Sequence, residues 1–234
     1  MSVPVAQEHF YRSSLPKGDW YPTRDRAIHS VVHGHRVVHL GCTDWPMTSQ
    51  KLQQGELLHR KLLDWCPAVL GVDVDRDGLD VLGAELGGAY ERLDVETDDL
   101  TPIVGFQADI VAACDVIEHV PNIDRFLCGL ARLLAQSRPG CRLLITTPNA
   151  LALRHLGYSA AGVEVIHPDH RVVFTPSTLA RSARSQGLHV IGWAYYSISS
   201  GDTRPRQALD WVARLAARVR PPLADGLAVT FGTG

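Results

Sequence analysis

The chain holds no apolar run approaching the roughly 18 to 20 residues that a membrane-spanning helix needs, and it opens without a basic segment leading into an apolar one. Neither a bilayer span nor a secretory leader is expected. Charge of one sign is not in excess: 23 Lys and Arg stand against 25 Asp and Glu, a net charge of -2. A nucleic-acid surface shows as a basic stripe, so that class of partner is not expected either. Paired cysteines are missing. The five present, Cys42, Cys66, Cys114, Cys128 and Cys141, are odd in number and form no CxxC. They fit buried thiols in a reducing cytoplasm better than disulfides. No internal repeat or low-complexity tract is visible, and one globular unit is the default.

What is present suffices to fold. With 234 residues and 45% hydrophobic content, the chain can bury a substantial core, and its length suits one domain with elaborations. Residues 1–23 mix Phe10, Tyr11, Trp20 and Tyr21 with Pro and Gly and show no sustained period, which predicts an arm or lid. Residues 24–234 are expected to form the single domain. A helix over 24–33 leads into strand 36–40, helix 49–65, strand 69–74, helix 77–86, a weak strand 89–93, strand 109–113, helix 122–136 and strand 141–146. Phe126, Leu127, Leu130, Leu133 and Leu134 recur at three- and four-residue steps, one stripe facing a sheet. Thr175, Pro176 and Gly187 frame a helix over 176–186. A strand over 189–198, an amphipathic segment over 205–219 and a last, antiparallel strand over 227–231 complete the pattern. Strands alternating with helices in this way predict an α/β fold with a doubly wound, mostly parallel sheet.

Three strings carry chemistry. In RVVHLGCTDW, Arg36 to Trp45, an apolar run breaks at Gly41. VLGVDVD, Val69 to Asp75, is a second apolar run ending in acid. In DIVAACDVIEHV, Asp109 to Val120, a buried-strand pattern delivers Asp115, Glu118 and His119 to the edge of a sheet, where chemistry can use them. A glycine at the first turn lets a ligand approach the backbone, although a simple strand-to-helix turn uses glycine too. The loop GCTDWP lacks the later glycines of GxGxxG, which argues against a pyrophosphate cradle and a dehydrogenase. Asp73 is placed to accept hydrogen bonds from vicinal ribose hydroxyls. Asp75 competes for that role or caps the next helix. Asp94 lies where an adenine amino group would come within reach, although its neighbours Glu96, Asp98 and Asp99 are also what a solvated loop carries.

In this order, over residues 31–198, the strings resemble class I S-adenosylmethionine-dependent methyltransferases. The resemblance implies a Rossmann-like sheet of seven strands, the last antiparallel, and S-adenosylmethionine as cofactor. It implies contacts from Gly41 to the methionyl part, Asp73 to the ribose and Asp94 to the adenine, with Cys42, Val74, Val95, Cys114 and Asp115 beside them. DVIEHV, Asp115 to Val120, is similar to the ExxEHV of a subgroup that includes ubiquinone-pathway O-methyltransferases, and ITTPN, Ile145 to Asn149, is similar to their fifth strand. Two departures stand out: His39 replaces the usual acid, and Cys42 to Trp45 replaces the later glycines.

HPDHRVVFTP, His167 to Pro176, is similar to a segment of metal-dependent 2'-O-methyltransferases acting on small-RNA 3' ends, and of methyltransferases of glycan and secondary-metabolite pathways. That analogy implies a divalent cation held by Asp115, Glu118, His119 and His170, acidifying a substrate hydroxyl. Without a metal, His119, His167 and His170 are the candidate catalytic bases, since imidazole titrates near neutrality. The same polar residues also suit plain hydrogen bonding to backbone. The expected reaction is methyl transfer to an oxygen of a small molecule, a secondary metabolite or sugar-containing intermediate. Transfer to nitrogen, and a noncatalytic adenosyl-binding protein, are the alternatives. The arm and residues 150–169 are expected to cover the acceptor pocket, because loops at a sheet's carboxyl edge carry specificity.

Overall fold

The computed structural model describes residues 14–198 and 204–234, so Phe10 and Tyr11 of the expected arm lie outside the described residues. In chain order the elements are β1 (Asp19–Tyr21), α1 (Arg24–Val32), β2 (Arg36–Leu40), α2 (Thr48–Gln54), α3 (Leu58–Trp65), β3 (Ala68–Asp73), α4 (Arg76–Leu86), β4 (Ala89–Arg92), α5 (Thr101–Gly105), β5 (Ile110–Cys114) and α6 (Ile123–Gln136). After them come β6 (Arg142–Pro148), α7 (Leu153–Ala160), α8 (Pro176–Ser185), β7 (Leu188–Tyr196), α9 (Arg204–Val219) and β8 (Gly226–Thr233).

The strands form one sheet in the order β1-β7-β8-β6-β5-β2-β3-β4. Neighbours pair in parallel except β8, which runs antiparallel to both β6 and β7. The doubly wound sheet and its antiparallel last strand are as expected, but the described residues form eight strands rather than seven. The addition is β1, from the expected arm: Trp20 pairs opposite Tyr195, and its indole N–H donates to Ser197 Oγ at 3.1 Å. A three-residue strand is too short to show a period of two, so local sequence gave no sign of it.

Alternation along each strand builds a core on both faces. Val38 and Leu40 of β2, Leu70 and Val72 of β3, Val111 and Ala113 of β5, and Leu143 and Ile145 of β6 meet the α6 stripe of Phe126, Leu127, Leu130, Leu133 and Leu134. Val37, Val69, Ile110, Ala112 and Leu144 point the other way, onto Ala27, Ile28 and Val32 of α1 and Leu58 and Leu62 of α3. Full burial of each such leucine stabilises the fold by roughly 2 kcal/mol. The expected helix over 49–65 is two helices, because Gly55 takes φ 70 and ends α2 while the buried Leu57 begins the turn into α3. The helices α5 and α7 were not expected; five residues of α5 are too few for a helical period to show. No described helix is long and apolar enough to cross a membrane.

The winding of the sheet reverses between β2 and β5, which are neighbours in space but not in sequence. In open α/β sheets ligands bind outside the carboxyl ends of the strands at such a switch point. Here those ends carry Gly41 and Asp115.

Candidate functional site

At the end of β2 the amides of Gly41 and Cys42 both donate to the carbonyl of Val72, at 2.9 and 3.4 Å, and fold the loop back on β3. Gly41 has φ +72, and a Cβ there would stand 2.5 Å from Val116 Cγ2. The room left by the missing side chain is thus filled by the residue after Asp115, which draws the first and third strings together. Cys42 packs its sulfur among Leu57, Leu79 and Leu82, and burial, then the charge of Asp73, keeps the thiol protonated. It presents its backbone, not its sulfur, to the edge.

Asp73 is held rather than free. Its Oδ2 accepts from the Thr43 amide at 3.0 Å and the Thr43 hydroxyl at 2.9 Å, and its Oδ1 accepts from the Asp75 amide at 3.1 Å. Asp75 caps α4 by accepting from the Gly78 amide at 3.1 Å, a role that leaves Asp73 at the strand end. Val74 is exposed. Asp94 closes a turn, accepting from the Glu96 amide at 2.9 Å while its own amide donates to Asp98 Oδ2 at 2.8 Å. Val95 faces the core, and its carbonyl would stand 2.2 Å from a Cβ on Gly129 of α6.

At the end of β5 Asp115 adopts φ 54, a left-handed turn that few non-glycine residues take. The Thr146 hydroxyl donates to Asp115 Oδ1 at 2.7 Å and the Tyr196 hydroxyl to the same oxygen at 3.3 Å, while Arg24 of α1 pairs with Oδ2. The conformation is over-determined by these partners. Cys114, just before it, is buried with its thiol pushed up to about 12, chiefly by desolvation.

One turn later the chain brings a carboxylate and two imidazoles together. Potential ligand atoms of Glu118, His119 and His170 all lie within 4.8 Å of one another. The imidazoles of His119 and His170 meet edge to face with centroids 4.7 Å apart, and His167 is 5.0 Å from His170. The loop carrying His170 is tied down by its backbone, Arg171 N–H donating to the Glu118 carbonyl at 2.8 Å. Glu118 is 0% exposed, and among the described residues neither carboxylate oxygen, nor the buried Thr147 hydroxyl, has a hydrogen-bond partner. Thr147 lies close enough to favour the ionised carboxylate electrostatically, without a hydrogen bond of normal geometry. Burial, then the charge of Asp115, pushes Glu118 up to about 8. His170 is lowered by burial and by its neighbours His119 and His167.

Of the four metal ligands expected from sequence, Glu118, His119 and His170 therefore converge. Asp115 does not join them; its carboxylate is turned to Arg24, Thr146 and Tyr196. Sequence reasoning missed those three and Thr43. Arg24 lies 91 positions from Asp115, and no local period ties a helix's first residue to a distant strand end. Thr43 was legible only as a departure from glycine.

No protein-family model matches the chain. Among curated proteins it is similar to a ubiquinone biosynthesis O-methyltransferase of Cupriavidus pinatubonensis, 26% identical over 199 residues, 79% of this chain and 74% of the relative. A second, of Aeromonas salmonicida, is 25% identical over 181 residues, 74% of this chain and 68% of the relative. Among solved structures, the magnesium protoporphyrin IX methyltransferase of Synechocystis with bound S-adenosylhomocysteine superposes with a TM-score of 0.54 at 12% identity, covering 90% of this chain and 82% of that one. A putative methyltransferase of Haloferax volcanii, in complex with the Trm112 activator, gives 0.52 at 15% identity, covering 89% and 91%. The [4+2]-cyclase SpnF gives 0.51 at 18%, covering 90% and 82%. In sequence and in fold the chain is similar to class I S-adenosylmethionine-dependent methyltransferases.

Proposed function

We propose that this class I methyltransferase transfers a methyl group from S-adenosylmethionine to a hydroxyl of a small molecule, a secondary metabolite or sugar-containing intermediate. The observation that carries the reading is the buried carboxyl group of Glu118, without a hydrogen-bond partner among the described residues, set beside His119 and His170 at the sheet edge, next to the strand ends that suit an adenosyl cofactor. An unpaired buried carboxylate is costly, so it persists where a partner is expected. The curated relatives are O-methyltransferases by name, which favours oxygen over nitrogen as the acceptor atom.

The cofactor would lie across Gly41, with its ribose toward Asp73 and its adenine toward Asp94, leaving the acceptor to enter over His119 and His170. Methyl transfer by in-line displacement needs positioning first and removal of one proton second. His119, His170 or His167 would accept that proton. The donor set also fits a divalent cation: Glu118, His119 and His170 would hold it, and bound there it would acidify the acceptor hydroxyl. The five cysteines are unpaired, which accords with a reducing, cytoplasmic compartment.

A second reading is a protein that keeps the fold and performs no methyl transfer. One structural neighbour is a [4+2]-cyclase by name, so the fold alone does not fix the reaction. Calorimetry with S-adenosylhomocysteine, followed by incubation with radiolabelled S-adenosylmethionine and a panel of phenolic, sugar and amine acceptors, separates these readings. Binding with label appearing on a hydroxyl supports the proposal. Binding with no transfer to any class of acceptor favours the second reading, and absence of binding at millimolar ligand refutes both.

A further inference from the structure

The carboxylate placed to hold the ribose has little capacity left. A carboxylate offers about four lone-pair positions, two on each oxygen. On Asp73, both positions of Oδ2 are taken by Thr43, through its amide at 3.0 Å and its hydroxyl at 2.9 Å. One position of Oδ1 is taken by the Asp75 amide at 3.1 Å. Among the described residues' contacts a single acceptor position remains, on Oδ1, whereas a vicinal diol needs two to donate through both hydroxyls. The expectation of a paired contact to the ribose is therefore not what this geometry favours.

Thr43 is built into its place. It is 1% exposed, in the position where the family resemblance would put a glycine. Gly78, in the first turn of α4, leaves room for both the helix cap and Thr43: a Cβ there would stand 2.2 Å from Asp75 Oδ2, 2.7 Å from Thr43 Cβ and 2.9 Å from Thr43 Cγ2. The loop thus holds, in a close-packed place, a hydroxyl aimed at Asp73.

We propose that Thr43 is a positioning residue for the adenosyl cofactor, fixing Asp73 so that the ribose is bound through one hydroxyl, at Oδ1. The inference rests on the adenosyl reading above and specifies how that site selects its ligand. Substitution at Thr43 reopens the second oxygen and changes which ribose hydroxyls count.

The test is calorimetric titration of S-adenosylhomocysteine and its 2'-deoxy and 3'-deoxy analogues into the wild-type chain, Thr43→Ala and Thr43→Ser, with folding checked by thermal melting. Losing a hydrogen bond to a charged acceptor weakens binding by roughly tenfold or more. In the wild type, one deoxy analogue is expected to bind about tenfold or more weaker than the parent and the other within roughly threefold of it. Thr43→Ser should keep that selectivity. Thr43→Ala should bring the two analogues together, because the position vacated on Oδ2 admits the second hydroxyl. Equal losses for both analogues in the wild type overturn the proposal, as does Thr43→Ala retaining the full selectivity or Thr43→Ser losing it. Should Thr43→Ala fail to fold, the wild-type selectivity and the serine variant still decide. Wild-type protein that binds none of the three ligands refutes the adenosyl reading itself, a different outcome from any of these.

Discussion

Acidification should weaken this fold through a pair of histidines behind the first loop. His39 of β2 and His59 of α3 are 2% and 1% exposed, their rings stack with centroids 5.4 Å apart, and their Nδ1 atoms lie 3.2 Å apart. One ring donates across that gap and the other accepts, so the contact as built is between neutral imidazoles. Burial lowers His59 to about 4, and burial followed by the neighbouring charge of His59 and Arg24 lowers His39 as well. An unfolded histidine titrates near 6.5, so as pH falls the unfolded chain takes up the proton first. The stabilisation is whole above about pH 6.5 and is lost progressively toward pH 4. For His59 alone the interval from about 6.5 to about 4 corresponds to roughly 3 kcal/mol in full, and to about 2 kcal/mol at pH 5. At roughly 2 to 4 °C per kcal/mol for a domain of this size, the melting temperature at pH 5 should lie several degrees below that at pH 7.5. His59→Asn keeps a polar atom near the Nδ1 position and cannot titrate there, so its melting temperature should fall less over the same range. Calorimetric melting of both proteins from pH 4 to 8 measures the difference. Identical pH dependence in wild type and variant would refute the argument.

Three further outcomes follow from the geometry. Gly41→Ala must place a Cβ 2.5 Å from Val116 Cγ2 at φ +72 and should destabilise by about 2 to 4 kcal/mol in denaturant unfolding, partly restored by Val116→Ala; a neutral effect would mean the turn is not constrained. Arg154→Met removes a cation within 3.2 Å of both Asp210 and Asp225 and should cost about 2 to 4 kcal/mol in the same assay, whereas a loss below about 1 kcal/mol would show that the two carboxylates are compensated without it. On the proposed metal site, wild-type protein should bind manganous ion in equilibrium dialysis and Glu118→Gln should abolish that binding while leaving S-adenosylhomocysteine affinity unchanged; no binding by the wild type, or undiminished binding by the variant, would refute that donor set.

The parts of this fold legible in sequence were those with a sustained period. Strands β2, β3, β5 and β6 and helix α6 declare themselves through runs of apolar residues or a three-and-four spacing, and Asp75 and Thr175 cap α4 and α8 from the residue before each, while Asn122, expected inside α6, caps it. What stayed hidden was short or long-range. The three residues of β1 and five of α5 hold too little pattern, and Gly55 divides a helix whose apolar spacing runs on past it. In the site, the ligand types of Glu118 and His119 were visible because they are adjacent, and His170 because its neighbours form a string. The partner of Asp115 was not: a carboxylate has no sequence mark that distinguishes ion pairing with Arg24 from metal binding, and the decision is made by the positive φ at Asp115, which turns the side chain away.

The hydrogen bond from the Arg171 amide to the Glu118 carbonyl bears on how this site can change over evolutionary time. It clamps the far end of the 150–170 segment to Glu118, and it does so through backbone atoms that no substitution removes, short of proline at 171. Residues inside the segment, where Val163, Val165 and Ile166 are exposed, can therefore be exchanged or inserted without shifting His170 against Glu118. On the proposed function, chemistry and acceptor choice would be separately inheritable, the first written at two fixed points and the second in the chain between them.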